Sequence, residues 1–277
     1  DGIRDTSVTG VQTCALTIFL KNPITKFSLQ KIIKGVKCNK YSFTEDIVLR
    51  LVVRDLKKKY GDKTILDGAS FSFSHGISYG IVGNKDDGKT TFLKCICGET
   101  GIDSGYIRIE ADWKEHRTKY SDFGIVADSA VVPEYMTGYE FFDYLIEIHP
   151  LCVTESKTAD DYFDMVGLNV AKRNNLIKEY SYNEKRKIQL LSVILLKPSV
   201  IIFDEPVKNS NKRRINRMKA IIDDLKKERI VIVATENPDI AEAFCDEFLC
   251  FEDGHILSLP AEDVRTVLSG SEETGND

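Results

Sequence analysis

The stretch Gly83-Asn84-Lys85-Asp86-Asp87-Gly88-Lys89-Thr90 holds the residues best suited by type and spacing to do chemistry. It fits the pattern G-x-x-x-x-G-K-[ST], in which backbone N–H groups at a helix N-terminus wrap a chain of phosphates. Lys89 is placed to reach the β and γ phosphates. The Thr90 hydroxyl is placed to ligate Mg²⁺, and Thr91 continues the cradle. A second group stands at Asp204-Glu205-Pro206, directly after the apolar run Val200-Ile201-Ile202-Phe203. An apolar strand that ends in two carboxylates delivers them to the edge where open α/β sheets bind ligands. There Asp204 can hold Mg²⁺, and Glu205 can accept a proton from attacking water.

These groups need a sheet and helices to hold them. Ile77 to Val82 reads as a buried strand leading into the loop, and Thr91 to Lys94 as the start of a helix leaving it. Val200 to Phe203 and Ile230 to Ala234 are short continuous apolar runs, the pattern of strands covered on both faces. Leu49 to Val53, Ser70 to Ser74 and Gly105 to Ala111 alternate apolar and polar residues, as half-exposed strands do. Residues 137–148, 158–167 and 184–196 read as amphipathic helices. Phe248 to Phe251 and His255 to Leu259 flank Glu252-Asp253-Gly254 as a hairpin. The order is antiparallel strands first, then α/β with a helical insert. The basic stretch from Lys212 to Lys219 is expected to form a solvated helix face, and Lys57-Lys58-Lys59 a solvated loop.

Composition narrows the classes. The 277 residues are 42% apolar, enough for one sizeable core or two small ones. A net charge of −5 gives no overall sign of a nucleic-acid partner. No apolar run approaches the roughly 18 residues of a membrane span. The seven cysteines lack the paired spacing of a zinc site, and Cys95 and Cys97 are expected in the core.

Tyr180-Ser181-Tyr182-Asn183-Glu184 opens the long helix before the acidic strand, and Ser181 precedes Asp204 by 23 residues. Here the chain resembles the nucleotide-binding domain of ABC transporters, whose L-S-G-G-Q signature stands at this distance from its D-E-P strand. The resemblance spans about 48–260 and is nearest to the ATPase subunits that serve ABC-2-type permeases. It implies a P-loop NTPase fold of ABC type: a mixed core sheet, an N-terminal antiparallel β subdomain and a helical insert at about 129–182. It also implies ATP and Mg²⁺ as ligands, a second ATP-binding subunit, an ABC-2-like membrane permease as partner, and a place at the cytoplasmic face of the membrane. By the same resemblance Tyr60, 23 residues before Gly83, stacks on adenine. Ser181 caps the γ-phosphate of ATP bound by the opposite subunit. Phe123 to Asp128 leads into the Q-loop, with Asp128 where a metal-contacting Gln is usual, and Pro133 to Glu140 faces the permease.

Four departures from the family pattern point to slow hydrolysis. Tyr182 and Asn183 replace the signature glycines, which permit close backbone approach. Glu236, in Ala234-Thr235-Glu236, stands where a histidine donates to the γ-phosphate, and a carboxylate repels it. Asp86 and Asp87 bring negative charge into the phosphate loop. Asn211 takes the place of the D-loop aspartate. A catalytically degenerate, regulatory ATP-binding partner is the alternative reading. A soluble ABC protein of DNA repair or translation fits less well: the interval from Gly83 to Tyr180 is too short for a coiled-coil insertion, and the chain holds one ATPase unit.

Asp1 to Ile18 resembles the in-frame translation of a short-read sequencing adapter, with Thr17 where the adapter encodes Pro. Residues 19–47 have no clean period and read as upstream DNA, with Val48 as a GTG start. Residues 1–47 are therefore expected to be a non-native leader, 48–260 the ATPase domain, and 261–277 a C-terminal helix and polar tail. A chain starting at Val48 should bind nucleotide as the full chain does, in a direct titration of both; loss of folding or binding would show that the leader belongs to the domain.

Overall fold

A computed structural model describes residues 49–83, 87–111, 114–127, 129–150, 157–207 and 212–269. The expected leader, the polar tail beyond Ser269, and Asn84, Lys85, Asp86, Asp128 and Asn211 lie outside the described residues. The rest forms two compact units, one of residues 129–196 and one of residues 49–127 and 197–269.

The larger unit carries two sheets. The first is antiparallel in the order β2-β1-β4-β5, with β1 Leu49–Tyr60, β2 Lys63–Ser74, β4 Ser104–Ala111 and β5 Lys114–Arg117. The second has β3 Ser78–Val82, β6 Phe123–Val126, β7 Val200–Asp204, β8 Ile230–Thr235, β9 Glu247–Glu252 and β10 His255–Leu259. Its order is β10-β9-β3-β8-β7-β6, parallel throughout except for the hairpin strand β10. The expected apolar runs explain this sheet. All residues of β3 and β8 are buried, as strands between two covering layers must be.

Strand β1 runs past the expected boundary and through Lys57-Lys58-Lys59, so those lysines are not a loop. A bulge makes this possible. Asp55 takes φ 50° and the register slips between Val53 and Leu56. Gly105 on β4 faces the bulge with φ 90°; a Cβ there would stand 2.5 Å from the carbonyl oxygens of Arg54 and Asp55. Beyond the bulge Lys57 Nζ meets Asp67 at 2.7 Å, and Lys58 Nζ lies 5.1 Å from the Tyr60 ring centroid.

The core of this unit is aromatic where the two sheets meet helix α1, Lys89–Ile96. Phe73 stands edge-on to Phe71 and Tyr79 with centroids 4.8 and 5.1 Å away, and Phe92 of α1 lies 6.3 Å from it. Cys95 and Cys97 are buried as expected, and burial pushes both thiols up. Ring edges meeting ring faces add to the area term.

The smaller unit is helical: α2 Gly138–Ile148, α3 Ala159–Val166 and α4 Tyr182–Leu196. Thr137 with Glu140 and Thr158 with Asp161 form capping boxes at the starts of α2 and α3. Phe141, Phe142 and Leu145 of α2 are buried, as are Tyr162 and Phe163 of α3. Buried Arg173 ties this unit together, donating to Asp160, Asp164 and the Leu168 carbonyl.

Phe73 is fully buried among these rings, so Phe73→Ala should cost about 3–5 kcal/mol. Urea unfolding should show this as a lower midpoint with little change in slope; a loss under about 1 kcal/mol would mean that the aromatic cluster is not the core of the unit.

Candidate nucleotide-binding site

Strand β3 and helix α1 place the phosphate loop. Gly83 leaves the strand at φ 148°, and Gly88 precedes the helix in the left-handed region at φ 97°. Gly88 is the N-cap and has no side chain to spend on the first amides, and no acidic residue sits in the first turn. The positive end of the helix is thus left for an anion. Backbone conformation favours glycine at both positions, and both are crowded. A Cβ at Gly83 would lie 2.8 Å from Asp87 Oδ2, and one at Gly88 3.3 Å from Ile65 Cγ2.

Lys89 is 8% exposed, and its ammonium donates to the Gly83 carbonyl at 2.6 Å. Glu236 Oε1 stands 4.0 Å from the same nitrogen. Burial lowers the Lys89 pKa, while the charges of Glu236, Asp87, Glu205 and Asp204 partly offset it. Thr90 is exposed and Thr91 half-buried on the first turn of α1.

The carboxylates arrive on β7. Asp204, half-buried, is its last residue, paired with Ala234 of β8. Glu205 turns away with φ 48°, and its N–H donates to the Ala234 carbonyl at 2.9 Å. Both its carboxylate oxygens are engaged: Thr235 Oγ1 donates to Oε2 at 3.1 Å, and the Glu236 N–H donates to Oε1 at 2.7 Å. Thr235, 1% exposed, also accepts from the Asn237 N–H at 3.1 Å. Helix α5, Lys212–Leu225, precedes β8, and Asn237 caps helix α6, Pro238–Phe244, by accepting from the N–H groups of Asp239 and Ile240. Thr235 and Asn237 were not among the expected site residues. The sequence sign was there, a hydroxyl residue ending an apolar strand beside an N-cap and a proline, but it does not say which carboxylate the hydroxyl will meet.

The donor set suits a small hard cation that shares its ligands with phosphate. Thr90 and Asp204 offer oxygen, and among the described residues no three His, Cys, Asp or Glu side chains gather into a metal-binding group. Mg²⁺ is commonly held this way, by one or two protein oxygens plus substrate phosphates and water.

Two further expected residues have clear settings. Tyr60 ends β1, is 50% exposed, and has the Lys58 ammonium over its ring. Ser181 belongs to the helical unit and precedes α4. Its N–H and hydroxyl both donate to Glu184 Oε2 at 2.8 Å, while the Glu184 N–H donates back to Ser181 Oγ at 3.4 Å. Burial raises the Glu184 carboxyl pKa, but these bonds outweigh it and hold it below the ordinary value. Tyr182 starts the helix and is 45% exposed.

Lys89→Ala should abolish or strongly weaken nucleotide binding, because it removes the buried cation beside the loop. Unchanged affinity for ATP in a direct titration would count against the whole site.

Comparison with known proteins bears on the family and the fold. The family model described as ABC transporter matches residues 66–208. The linearmycin resistance ATP-binding protein LnrL of Bacillus subtilis is 27% identical over 213 residues, covering 76% of this chain and 68% of that protein. The uncharacterized ABC transporter ATP-binding protein MJ1023 of Methanocaldococcus jannaschii is 27% identical, with 74% and 75% covered. The ribose import ATP-binding protein RbsA of Pseudomonas putida is 29% identical over 217 residues, but this chain spans only 42% of its length. The solved structure of an ATP binding subunit of an ABC transporter superposes with a TM-score of 0.67 at 22% identity, over 79% of this chain and 93% of that one; it shares the fold. The matched stretch takes in both the phosphate loop and the acidic strand end, over just over half of the chain, and this protein is therefore a nucleotide-binding domain of the ABC transporter family.

Proposed function

We propose that this chain is an ATPase subunit that couples ATP binding and hydrolysis to the movement of a substrate through a separate, ABC-2-like permease. It works against a second ATP-binding subunit and sits at the cytoplasmic face of the membrane through that permease. No described helix is long and apolar enough to cross a membrane, which accords with a spanning partner elsewhere. The observation that carries the reading is the convergence on one sheet edge of a buried Lys89 and a two-point-held Glu205.

In this reading Gly83 to Thr91 wraps the phosphates and Lys89 neutralises the β and γ groups. Thr90 and Asp204, with Asp128, would hold Mg²⁺, which supplies charge neutralisation at the phosphates. Glu205 orients a water and takes its proton as the water oxygen bonds to the γ-phosphorus. The bond from that phosphorus to the β–γ bridging oxygen breaks, and its electron pair leaves with ADP. Ser181 acts on the nucleotide of the opposite subunit, and Tyr60 stacks on adenine.

The alternative, a regulatory subunit with little hydrolysis, draws support from Glu236. Its carboxylate lies beside Lys89, where the family places a donor. The parent's own turnover separates the readings, and one pair of variants tests the part played by Glu236. Glu236→His should raise phosphate release on the order of tenfold, or about 1.4 kcal/mol of barrier, by replacing repulsion with a hydrogen bond. A Glu205→Gln background should erase the gain. Steady-state phosphate release with the permease present measures all three; release by the parent at background level would favour the regulatory reading, and an equal or slower Glu236→His enzyme would mean that Glu236 does not oppose the γ-phosphate.

A further inference from the structure

We propose that Glu236 is a specificity-determining residue that competes with the γ-phosphate for Lys89, so that the site takes a nucleoside diphosphate at least as readily as a triphosphate. The proposal rests on the reading of Gly83 to Thr90 as the phosphate loop, and it concerns which nucleotide that loop prefers.

Three observations carry it. First, Glu236 Oε1 is already 4.0 Å from the Lys89 ammonium, the cation a terminal phosphate would seek. Secondly, the Glu236 backbone is fixed. Its N–H is bonded to Glu205, and the next residue caps α6, so the carboxylate is held near Lys89 and only side-chain rotation can remove it. Its side chain is 56% exposed, which leaves that rotation open. Thirdly, the negative charge is not confined to Glu236. Asp87 folds over Gly83, and Asp87, Asp204 and Glu205 all act on Lys89 as well. Four carboxylates therefore favour the charged form of one buried cation, with Glu236 at 4.0 Å from it. A diphosphate brings its charge to the loop amides and Lys89. A triphosphate adds a further charge at the position nearest Glu236. Discrimination between two ligands that share every other contact then comes from a repulsive group set against one of them.

The test is direct binding of ADP and of ATP, each with Mg²⁺, to the full chain. A Glu205→Gln background keeps ATP intact during titration. That parent should bind ADP as tightly as ATP or more tightly. Adding Glu236→Gln should tighten ATP by about tenfold and ADP by no more than about twofold, since only the triphosphate reaches the altered side chain. Glu236→Ser, which shortens the chain and removes the charge, should move the ratio in the same direction and serves if the amide variant folds poorly. A parent that prefers ATP by more than about threefold, or a substitution that shifts both nucleotides equally, overturns the proposal. If neither nucleotide binds any of the folded variants, the phosphate-loop reading fails and this proposal with it.

Discussion

Parallel pairing of β8 with both β3 and β7 is the constraint from which the site follows. Val82 lies opposite Thr235, and Asp204 lies opposite Ala234. That register brings the ends of three strands to one edge, so the loop after β3, the segment after β8 and the acidic pair after β7 emerge side by side. The loop strand and the acidic strand do not touch; β8 separates them. Whatever follows β8 must therefore stand between Lys89 and Glu205. A slip of one residue in β8 would turn every side chain of that strand to the opposite face and carry Thr235 away from Glu205. The unbroken apolar runs guard against such a slip, because both faces of the sheet are covered.

Electrostatics at that edge are coupled through one residue. Glu236 has its backbone on Glu205 and its carboxylate beside Lys89. Glu205 and Lys89 thus share a neighbour. Any movement of residues 235–237 changes both, and the cap on α6 makes those residues move with the helix rather than singly. The low exposure of Lys89 strengthens each interaction it makes.

Much of this was legible in the residues. A phosphate loop is a local device: its glycines, lysine and hydroxyl are contiguous, and the flanking strand and helix follow from short-range periodicity. The acidic strand end and the closing hairpin are equally local. The lysine run after Asp55 was not legible, because its strand character depends on a bulge and on Gly105 some fifty positions away, which no local pattern reports. The clamp of Thr235 on Glu205 was hidden for the same reason: it joins residues 30 apart in sequence through strand pairing. Glu236 stands out in the sequence only by its charge; that its backbone N–H donates to Glu205 follows from strand pairing, which no local pattern reports.

The left-handed backbone at Glu205 has an evolutionary consequence. A non-glycine residue at φ 48° folds at a penalty of order 1 kcal/mol or more, which glycine or asparagine would largely escape. Yet the same side chain accepts from the buried Thr235 hydroxyl and from the Glu236 N–H, and glycine would leave both donors without it. A lineage that changed the glutamate would therefore exchange a strained turn for two lost bonds. Drift at this position is held in check by the fold itself, apart from any demand made by chemistry.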